Sequence, residues 1–281
     1  MSKKKRVTLT DLFNDLTFNN IYNKYKLMAL NRFEWVNLPD GIKSKHIEQY
    51  LFEEGKAVFF KDPNMSFMCL RTNAGGHRNV YGEPLTWWAK GFQYNKEYKA
   101  DDVVVIDNNP LRLPTHDFVM MYAYKIAEAE RTMDVNMKAN KTPFIFTCDD
   151  KDVWSFKQIF EKVDGNVPAI YCDKGLNLDS INVLQTGVKF LCNEIRDHIN
   201  GVESELLTFL GFNNVNVDKK ERLITDEAES NDELIGAFLD LQYHSRLIAR
   251  DQIRELFGLP DIDVVIRGEC KHESEVTPND V

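Results

Sequence analysis

Three carboxylates stand close together in the middle of the chain, and such clusters can hold divalent metal ions. Asp149, Asp150 and Asp152 follow a short apolar run in the stretch TCDDKDVW, and hard cations such as Mg²⁺ prefer oxygen ligands. Alternatively, Asp152 caps a helix beginning at Val153, because aspartate is a favoured N-cap residue. No further carboxylate motif supports a metal site. We therefore predict a helix cap and keep a metal-dependent DNA-processing enzyme as an alternative.

Other motifs that carry chemistry are missing from the sequence. Gly75 and Gly76 are not followed by the Lys-Ser/Thr of a phosphate-binding loop, so they predict a turn between strands. The six histidines have no ligand spacing, and the five cysteines are far apart without a CxxC pair. Only Cys270 and His272 could form a weak metal clip. We expect free thiols in a reducing cytoplasm, no metal, no cofactor and no enzymatic activity.

A basic arm at the N-terminus could contact phosphate groups, because Lys and Arg neutralise phosphates and release counterions. The arm consists of Lys3, Lys4, Lys5 and Arg6. An ordinary solvated terminus explains it equally well. The formal net charge of the whole chain is −9, which argues against a broad basic face that grips nucleic acid tightly.

A second basic group lies in a long polar connection, FNNVNVDKKERLITDEAES at residues 212–230. Most connections have ~4 to 6 residues, and longer ones tend to be functional or disordered. The cations at its front are Lys219, Lys220 and Arg222; the carboxylates at its rear are Asp226, Glu227 and Glu229. Three cations on one loop usually form a solvated face. In a ring of many copies, however, weak phosphate contacts would multiply.

Apolar periodicity predicts the elements that position these groups. We expect helices at 11–30, 43–54, 116–141, 188–210 and 231–257. We expect strands at 57–60, 65–70, 85–89, 103–106 and 263–267. A small α/β insert would hold strands at 143–148, 168–172 and 181–184 around a helix at 153–163. No stretch approaches the ~18 uninterrupted apolar residues of a membrane span; we therefore expect a soluble protein with a disordered polar tail.

Five stretches of the chain resemble one known family. They are FEWVNLPDGI (33–42), FFKDP (59–63), GNVPAIYC (165–172), TFLGF (208–212) and KKERLITDEAESNDE (219–233). Together they resemble the upper collar, or portal, proteins of small phi-29-like short-tailed phages. They occur in the same order as in that family. The resemblance covers most of the chain.

The resemblance implies an α+β, ring-forming portal-protein fold with a long-helix stem, a small α/β clip insert and a wing of short strands and helices. The implied parts are the basic arm with the first part of the wing (1–115), stem helix 1 (116–141), the clip (142–186), stem helix 2 (187–211), the channel loop (212–230), the second part of the wing (231–267) and the tail (268–281).

The resemblance also implies a dodecameric ring at one capsid vertex, through which double-stranded DNA is packaged, retained and ejected. Implied partners are the major capsid and scaffold proteins, the packaging ATPase, a packaging RNA bound by the N-terminal arm, and lower collar or tail proteins. In the family, lysines at the positions of Lys219 and Lys220 project toward DNA. One departure is that the second stem helix offers Arg196 and His198 among carboxylates, so the resemblance does not imply a second basic ring.

Two further interpretations remain besides the enzyme. A monomeric nucleic-acid-binding module would use the arm and the loop without a ring. A purely structural capsid or tail protein would form a ring without an open channel of DNA width.

Overall fold

The structure is a computed structural model that describes residues 9–64, 66–141, 144–147, 182–185, 187–213 and 225–267. The chain divides into two compact units, Met1–Glu128 with Ile199–Val281, and Ala129–His198. Of the helices in these ranges, none is long and apolar enough to span a lipid bilayer.

The elements follow one another in mixed order, as expected for an α+β chain. In sequence they are α1 (Leu9–Leu30), β1 (Phe33–Val36), α2 (Ser44–Glu54), β2 (Lys56–Lys61), β3 (Phe67–Ala74), β4 (Thr86–Gly91), β5 (Tyr94–Lys99), a 3₁₀ turn (Ala100–Asp102), β6 (Val103–Asp107), α3 (Thr115–Lys141), β7 (Phe144–Thr147), β8 (Asn182–Gln185), α4 (Cys192–Phe209), α5 (Thr225–Phe257) and β9 (Asp263–Ile266).

An antiparallel five-stranded sheet, in the order β5-β4-β3-β2-β6, lies in the first unit. Its strand β2 is apolar on both faces, and successive residues of a strand point to opposite faces. Ala57 and Phe59 enter a core shared with α2, α5 and β9. Val58 and Phe60 enter a second core that contains Trp87. The continuous apolar run of β2 therefore reflects a strand covered on both sides.

Helix α2 ends at a glycine, as its sequence predicts. Gly55 has φ +75°, and its N–H donates to the Leu51 carbonyl at 2.9 Å. This left-handed conformation favours glycine. Asn108 N–H in turn donates to the Gly55 carbonyl at 2.9 Å, so the end of α2 is joined to the segment that follows β6.

Two elements far apart in sequence close the first unit. Strand β1 pairs antiparallel with β9, with Phe33 opposite Ile266. Helix α5 covers this pair and the sheet, and its Ala249 and Ile253 are buried in the shared core. This pairing brings the two predicted parts of the wing into one hydrophobic core.

The first half of α3 and the second half of α4 also belong to the first unit. Val119, Ala123 and Ile126 of α3 are buried. The aromatic rings of Phe118 and Phe209 stack at 4.3 Å between centroids. The apolar periodicity that predicts these two helices thus corresponds to a packed face.

The second unit contains the remaining parts of α3 and α4 and a two-stranded antiparallel sheet. β7 pairs antiparallel with β8, with Phe144 opposite Gln185. Asn136 of α3 donates from its amide nitrogen to the Lys189 carbonyl at 2.8 Å and accepts from Leu191 N–H at 3.0 Å. These bonds fix the chain where it enters α4. The predicted strand at 168–172 and helix at 153–163 lie outside the described residues.

Several predicted boundaries differ from the structure. β3 continues to Ala74, beyond the predicted end at residue 70. The strand β5 is not among the predicted elements, because its pattern of exposure is nearly continuous, as befits an edge strand. Such a strand needs no alternating apolar residues. α4 begins at Cys192 instead of residue 188.

Candidate nucleic-acid interface

The cations predicted to contact nucleic acid lie outside the described residues. This holds for Lys219, Lys220 and Arg222 of the loop and for the arm formed by Lys3, Lys4, Lys5 and Arg6. The structure does describe both ends of the loop, at Asn213 and Thr225. The described residues on either side of the three cations are therefore the two anchors of this segment.

The first anchor is the end of α4, which has the geometry of a Schellman motif. Gly211 N–H donates to the Thr208 carbonyl at 3.0 Å, and Phe212 N–H donates to the Leu207 carbonyl at 2.9 Å. Gly211 has φ +73°, the left-handed conformation that this motif requires. The direction in which the chain leaves α4 is therefore set by two backbone hydrogen bonds.

Arg32, in the turn between α1 and β1, clamps this anchor. Its Nη2 donates to the Gly211 carbonyl, and its guanidinium lies 4.6 Å from the centroid of the Phe212 ring. The Arg32 carbonyl accepts from Arg267 N–H at 3.0 Å, which fixes the arginine backbone beside β9. A cation over an aromatic face contributes about 0.5 to 2 kcal/mol. The chain thus leaves α4 at a point held by Arg32, between α1 and β1.

The second anchor corrects the predicted loop. α5 begins at Thr225, not at residue 231, so the structureless connection cannot extend over all of residues 212–230. Asp226, Glu227 and Glu229 belong to the first two turns of the helix. Carboxylates stabilise the positive N-terminal end of a helix dipole, and glutamate and alanine are good helix formers. This explains the acidic rear half of the segment, which the sequence alone places in the loop.

Gly211→Ala tests the first anchor. A Cβ at this position would lie 2.9 Å from Leu239 Cβ, and the alanine would have to adopt φ +73°. We expect a loss of about 2 to 4 kcal/mol in the free energy of unfolding, from left-handed strain and overpacking. Urea denaturation of the purified chain measures it.

Gly258→Ala is the matched control for this substitution. Gly258 follows α5 with φ +67°, but nothing lies within 4 Å of the position that a Cβ would take there. Gly258→Ala should lower the free energy of unfolding only by the strain of the left-handed conformation, about 1 to 2 kcal/mol. Equal losses for the two variants would contradict a tightly packed anchor at Gly211.

Helix α4, which leads to the loop, is acidic. It carries Glu194, Asp197, Glu203 and Glu205 against a single guanidinium, that of Arg196. Glu194, Asp197 and Glu205 are exposed. An exposed helix of this composition repels a phosphate backbone. The described part of the chain thus gives α4 an acidic surface, as its sequence indicates.

Glu203 has a structural role that the sequence did not reveal. Its carboxylate accepts hydrogen bonds from Lys24 Nζ and Tyr25 Oη, both at 2.7 Å. Burial raises the pKa of Glu203, but these hydrogen bonds outweigh burial and leave the pKa below its usual value. The charged carboxylate therefore joins α4 to α1 at neutral pH.

The other predicted sites add no second candidate. Asp149, Asp150, Asp152, Cys270 and His272 lie outside the described residues. Among the residues that the structure describes, no group of three or more His, Cys, Asp or Glu side chains could hold a metal ion. Cys69 and Cys192 are free and buried, and burial raises the pKa of the Cys69 thiol.

Arg32 could not be recognised from the sequence, because nothing near it in the chain points to residues 211 and 212. The end of the helix at Gly211 could be, since glycine after an apolar periodic run is a common helix stop. The anchor therefore combines one residue with a local signal and one whose role depends on tertiary contacts.

Several solved portal structures are similar to this chain. A chain of the portal and tail of native bacteriophage P68 is 16% identical with a TM-score of 0.47, and the similarity covers 93% of this chain and 91% of that chain. An HK97 family phage portal protein from Corynebacterium diphtheriae is 9% identical with a TM-score of 0.42, with coverage of 92% and 94%. With TM-scores below 0.5, these similarities do not by themselves assign the chain to a family.

The family model described as Phage Connector (GP10) matches residues 3–271. The chain therefore belongs to the phage connector family. It is a portal, or head–tail connector, protein, and its place is the portal vertex of the virion. The predicted family and mixed helix-and-sheet portal fold are confirmed by this match.

Proposed function

We propose that copies of this connector form a dodecameric ring through which double-stranded DNA is packaged, retained and later ejected, with residues 214–224 acting as a loop that contacts DNA. The observation that carries the proposal is the pair of anchors, Gly211 clamped by Arg32 and the start of α5 at Thr225. They hold both ends of a segment that contains three cations.

The reach of this loop is limited by its length. Lys219 is six residues from Asn213 and six from Thr225. A chain spans at most ~3.6 Å per residue, so the Lys219 backbone can lie no more than about 22 Å from either anchor. The cations are thus confined to the neighbourhood of the anchored helix ends.

The charge distribution suits a channel that lets DNA pass. Each neutralised phosphate adds to affinity, so a wall of many cations would hold the duplex in place. The exposed carboxylates of α4 would repel the backbone, while a few loop cations per subunit would restrain it. Ordering a loop residue costs about 1 to 2 kcal/mol, so the contact would be a weak check against slippage.

Replacing Lys219 and Lys220 together with alanine should leave ring assembly unchanged and impair retention of packaged DNA. The physical reason is the loss of two phosphate contacts per subunit, multiplied around the ring. Electron microscopy measures assembly, and nuclease protection of DNA in filled particles measures retention.

The control is the pair Lys219→Arg and Lys220→Arg, which keeps both charges and should retain DNA like the original chain. Normal retention by the alanine variant would refute the proposed role of the loop. Loss of retention by the arginine variant as well would show that charge is not the property that matters.

The partners form part of the same proposal. As a connector at the vertex, the ring would contact capsid or scaffold proteins, lower collar or tail proteins and the packaging ATPase. The arm of Lys3, Lys4, Lys5 and Arg6 would bind a packaging RNA, which a comparison of RNA binding with and without the arm tests. ATP hydrolysis would belong to the ATPase, because the sequence has no nucleotide-binding motif.

The alternative of a metal-dependent enzyme makes a different prediction. Asp149, Asp150 and Asp152 would then cleave a supercoiled plasmid in the presence of Mg²⁺. Cleavage that disappears in an Asp149→Asn, Asp150→Asn chain would favour the enzyme over a purely passive conduit.

A further inference from the structure

A groove in the first unit lies between the second half of α5 and the root of the β4–β5 hairpin. Its volume is about 830 Å³. Trp87 and Val103 contribute to its wall from the sheet, and Ile248 and Leu256 contribute from α5. Ile248 is 47% exposed and Leu256 46%. Ile248 and Leu256 are therefore available for contact with a partner.

A rigid turn places two more apolar side chains beside this groove. The Asn79 side-chain oxygen accepts from Tyr81 N–H at 2.9 Å and from Glu83 N–H at 3.0 Å. The turn presents Val80, 94% exposed, and Tyr81, 89% exposed. Asn79 and Glu83 themselves line the groove. An ordered turn that exposes an aromatic side chain loses little entropy when it binds.

The rim of the groove carries excess negative charge. Asp101 and Glu255 line it, and so does Glu83. Arg112 also lines it, but its guanidinium contacts Asp107 at 3.1 Å and Glu83 at 3.0 Å. A partner segment with an apolar centre and a cation beside it would match both the shape and the charge of this surface.

The tip of the β4–β5 hairpin has these properties. Phe92 is 93% exposed. Gln93 has φ +56°, a conformation that favours glycine or asparagine in a hairpin turn. Lys90 and Lys96 lie in the two strands beside the tip, and Lys96 Nζ also lies 3.3 Å from Asp62. The exposed Phe92 ring packs against little within its own chain, so it is available for contact with a partner.

The tip and the groove lie at opposite ends of the same hairpin. Leu85 and Ala100, which line the groove, adjoin the first residue of β4 and the last of β5. The six residues of β4 separate tip from root by about 20 Å at ~3.4 Å per residue. A chain cannot insert this tip into its own groove, but a second copy can. A contact between two different surfaces of identical chains is head-to-tail, and it closes into a ring if the rotation permits.

We propose that the Phe92 tip of one copy inserts into the groove beside Ile248 of the next copy, and that this contact builds the ring. Lys90 then faces the acidic rim that carries Asp101 and Glu255, whereas Lys96 is already paired with Asp62. The proposal rests on the ring-forming function proposed above, and it names the two surfaces that meet.

Single substitutions on each side test the contact. Phe92→Ser removes the tip, and Ile248→Glu places a charge in the apolar groove. Leu27→Ser, on α1 and 62% exposed in the original chain, is the control for loss of an exposed apolar side chain. We expect the first two variants to weaken assembly at least about tenfold, because Phe92→Ser truncates a central anchor and Ile248→Glu buries an unpaired charge. The control should form rings normally. Mass photometry measures assembly, and circular dichroism melting curves verify that each variant is folded.

A mixture of the two defective variants distinguishes head-to-tail contact from other modes. The Phe92→Ser chain keeps its groove and the Ile248→Glu chain keeps its tip, so an equimolar mixture should form heterodimers and stop there. Heterodimers without rings support the proposal.

Three outcomes would overturn it. Rings formed by Phe92→Ser as readily as by the original chain would refute this contact while leaving the proposed ring intact, and would leave the groove to another virion protein. A mixture that stays monomeric would exclude a head-to-tail contact through these two surfaces. An original chain that stays monomeric at all concentrations would refute the ring itself and this contact with it.

Discussion

Arg246→Ala should lower the free energy of unfolding by about 3 to 5 kcal/mol, because it leaves the charge of Glu48 buried without its partner. The two side chains are 3% and 2% exposed, and Arg246 Nη2 lies 2.7 Å from Glu48 Oε2. Chemical denaturation monitored by tryptophan fluorescence measures the loss.

The Arg246 guanidinium is satisfied on every side by described residues. Its Nε donates to Glu48 Oε1 at 3.0 Å, and its Nη1 donates to the Gln242 carbonyl at 2.9 Å. Its Nη2 also donates to Asn108 Oδ1 at 3.1 Å. Trp35 Nε1 donates to Glu48 Oε1 at 2.9 Å. The network joins α5 to α2, β1 and the segment after β6, so it fixes α5 within the first unit.

An exposed ion pair provides the control. Arg267 Nε lies 2.9 Å from Glu34 Oε2, with both side chains at least 40% exposed. Arg267→Ala should cost at most about 1 kcal/mol. Replacing both buried partners by Glu48→Leu and Arg246→Met should cost less than Arg246→Ala alone. Similar losses for Arg246→Ala and Arg267→Ala would show that the buried network stabilises the protein no more than an exposed ion pair does.

How far the sequence predicts this protein depends on the range of the interactions. α3 carries an apolar period over 27 residues and α2 ends at a glycine, so both could be predicted locally. The pairing of β1 with β9 joins Phe33 to Ile266, and no local pattern specifies a partner so distant. The start of α5 at Thr225 could not be predicted, because its polar first turns carry no apolar stripe.

The candidate interface also combines residues that the local sequence predicts with residues that it does not. Gly211 could be predicted from its helix stop, whereas the Arg32 clamp depends on a contact across 179 residues of sequence. The exposure of Phe92 and the position of the groove could not be predicted from the sequence. Both depend on the fold, which places Phe92 at the tip of a hairpin. The roles of Lys219, Lys220 and Arg222 stay predictions that DNA retention must test.

Gly55→Ala should be comparably damaging, with a loss of about 3 to 5 kcal/mol from left-handed strain and overpacking against backbone. A Cβ on Gly55 would lie 2.1 Å from the Arg112 carbonyl oxygen and 2.7 Å from its carbon, at φ +75°. Backbone atoms cannot rotate away as a side chain can, so the turn after β6 must move. Thermal and urea denaturation measure the loss.

Gly41→Ala is the matched control, because Gly41 has φ +90° and nothing lies within 4 Å of the position that its Cβ would take. It should cost only the strain of the left-handed conformation, about 1 to 2 kcal/mol. A Gly55→Ala chain as stable as the Gly41→Ala chain would contradict the close approach of Gly55 to Arg112.

The displaced turn also connects the two large effects. Asn108 N–H donates to the Gly55 carbonyl, and the Asn108 side chain accepts from Arg246. A shift of this turn therefore disturbs the buried network as well. The double variant Gly55→Ala, Arg246→Ala should then lose less stability than the sum of the single losses, since residues that share a network are not additive. Strict additivity would mean that the turn moves without carrying Asn108, and that the two sites stabilise the first unit independently.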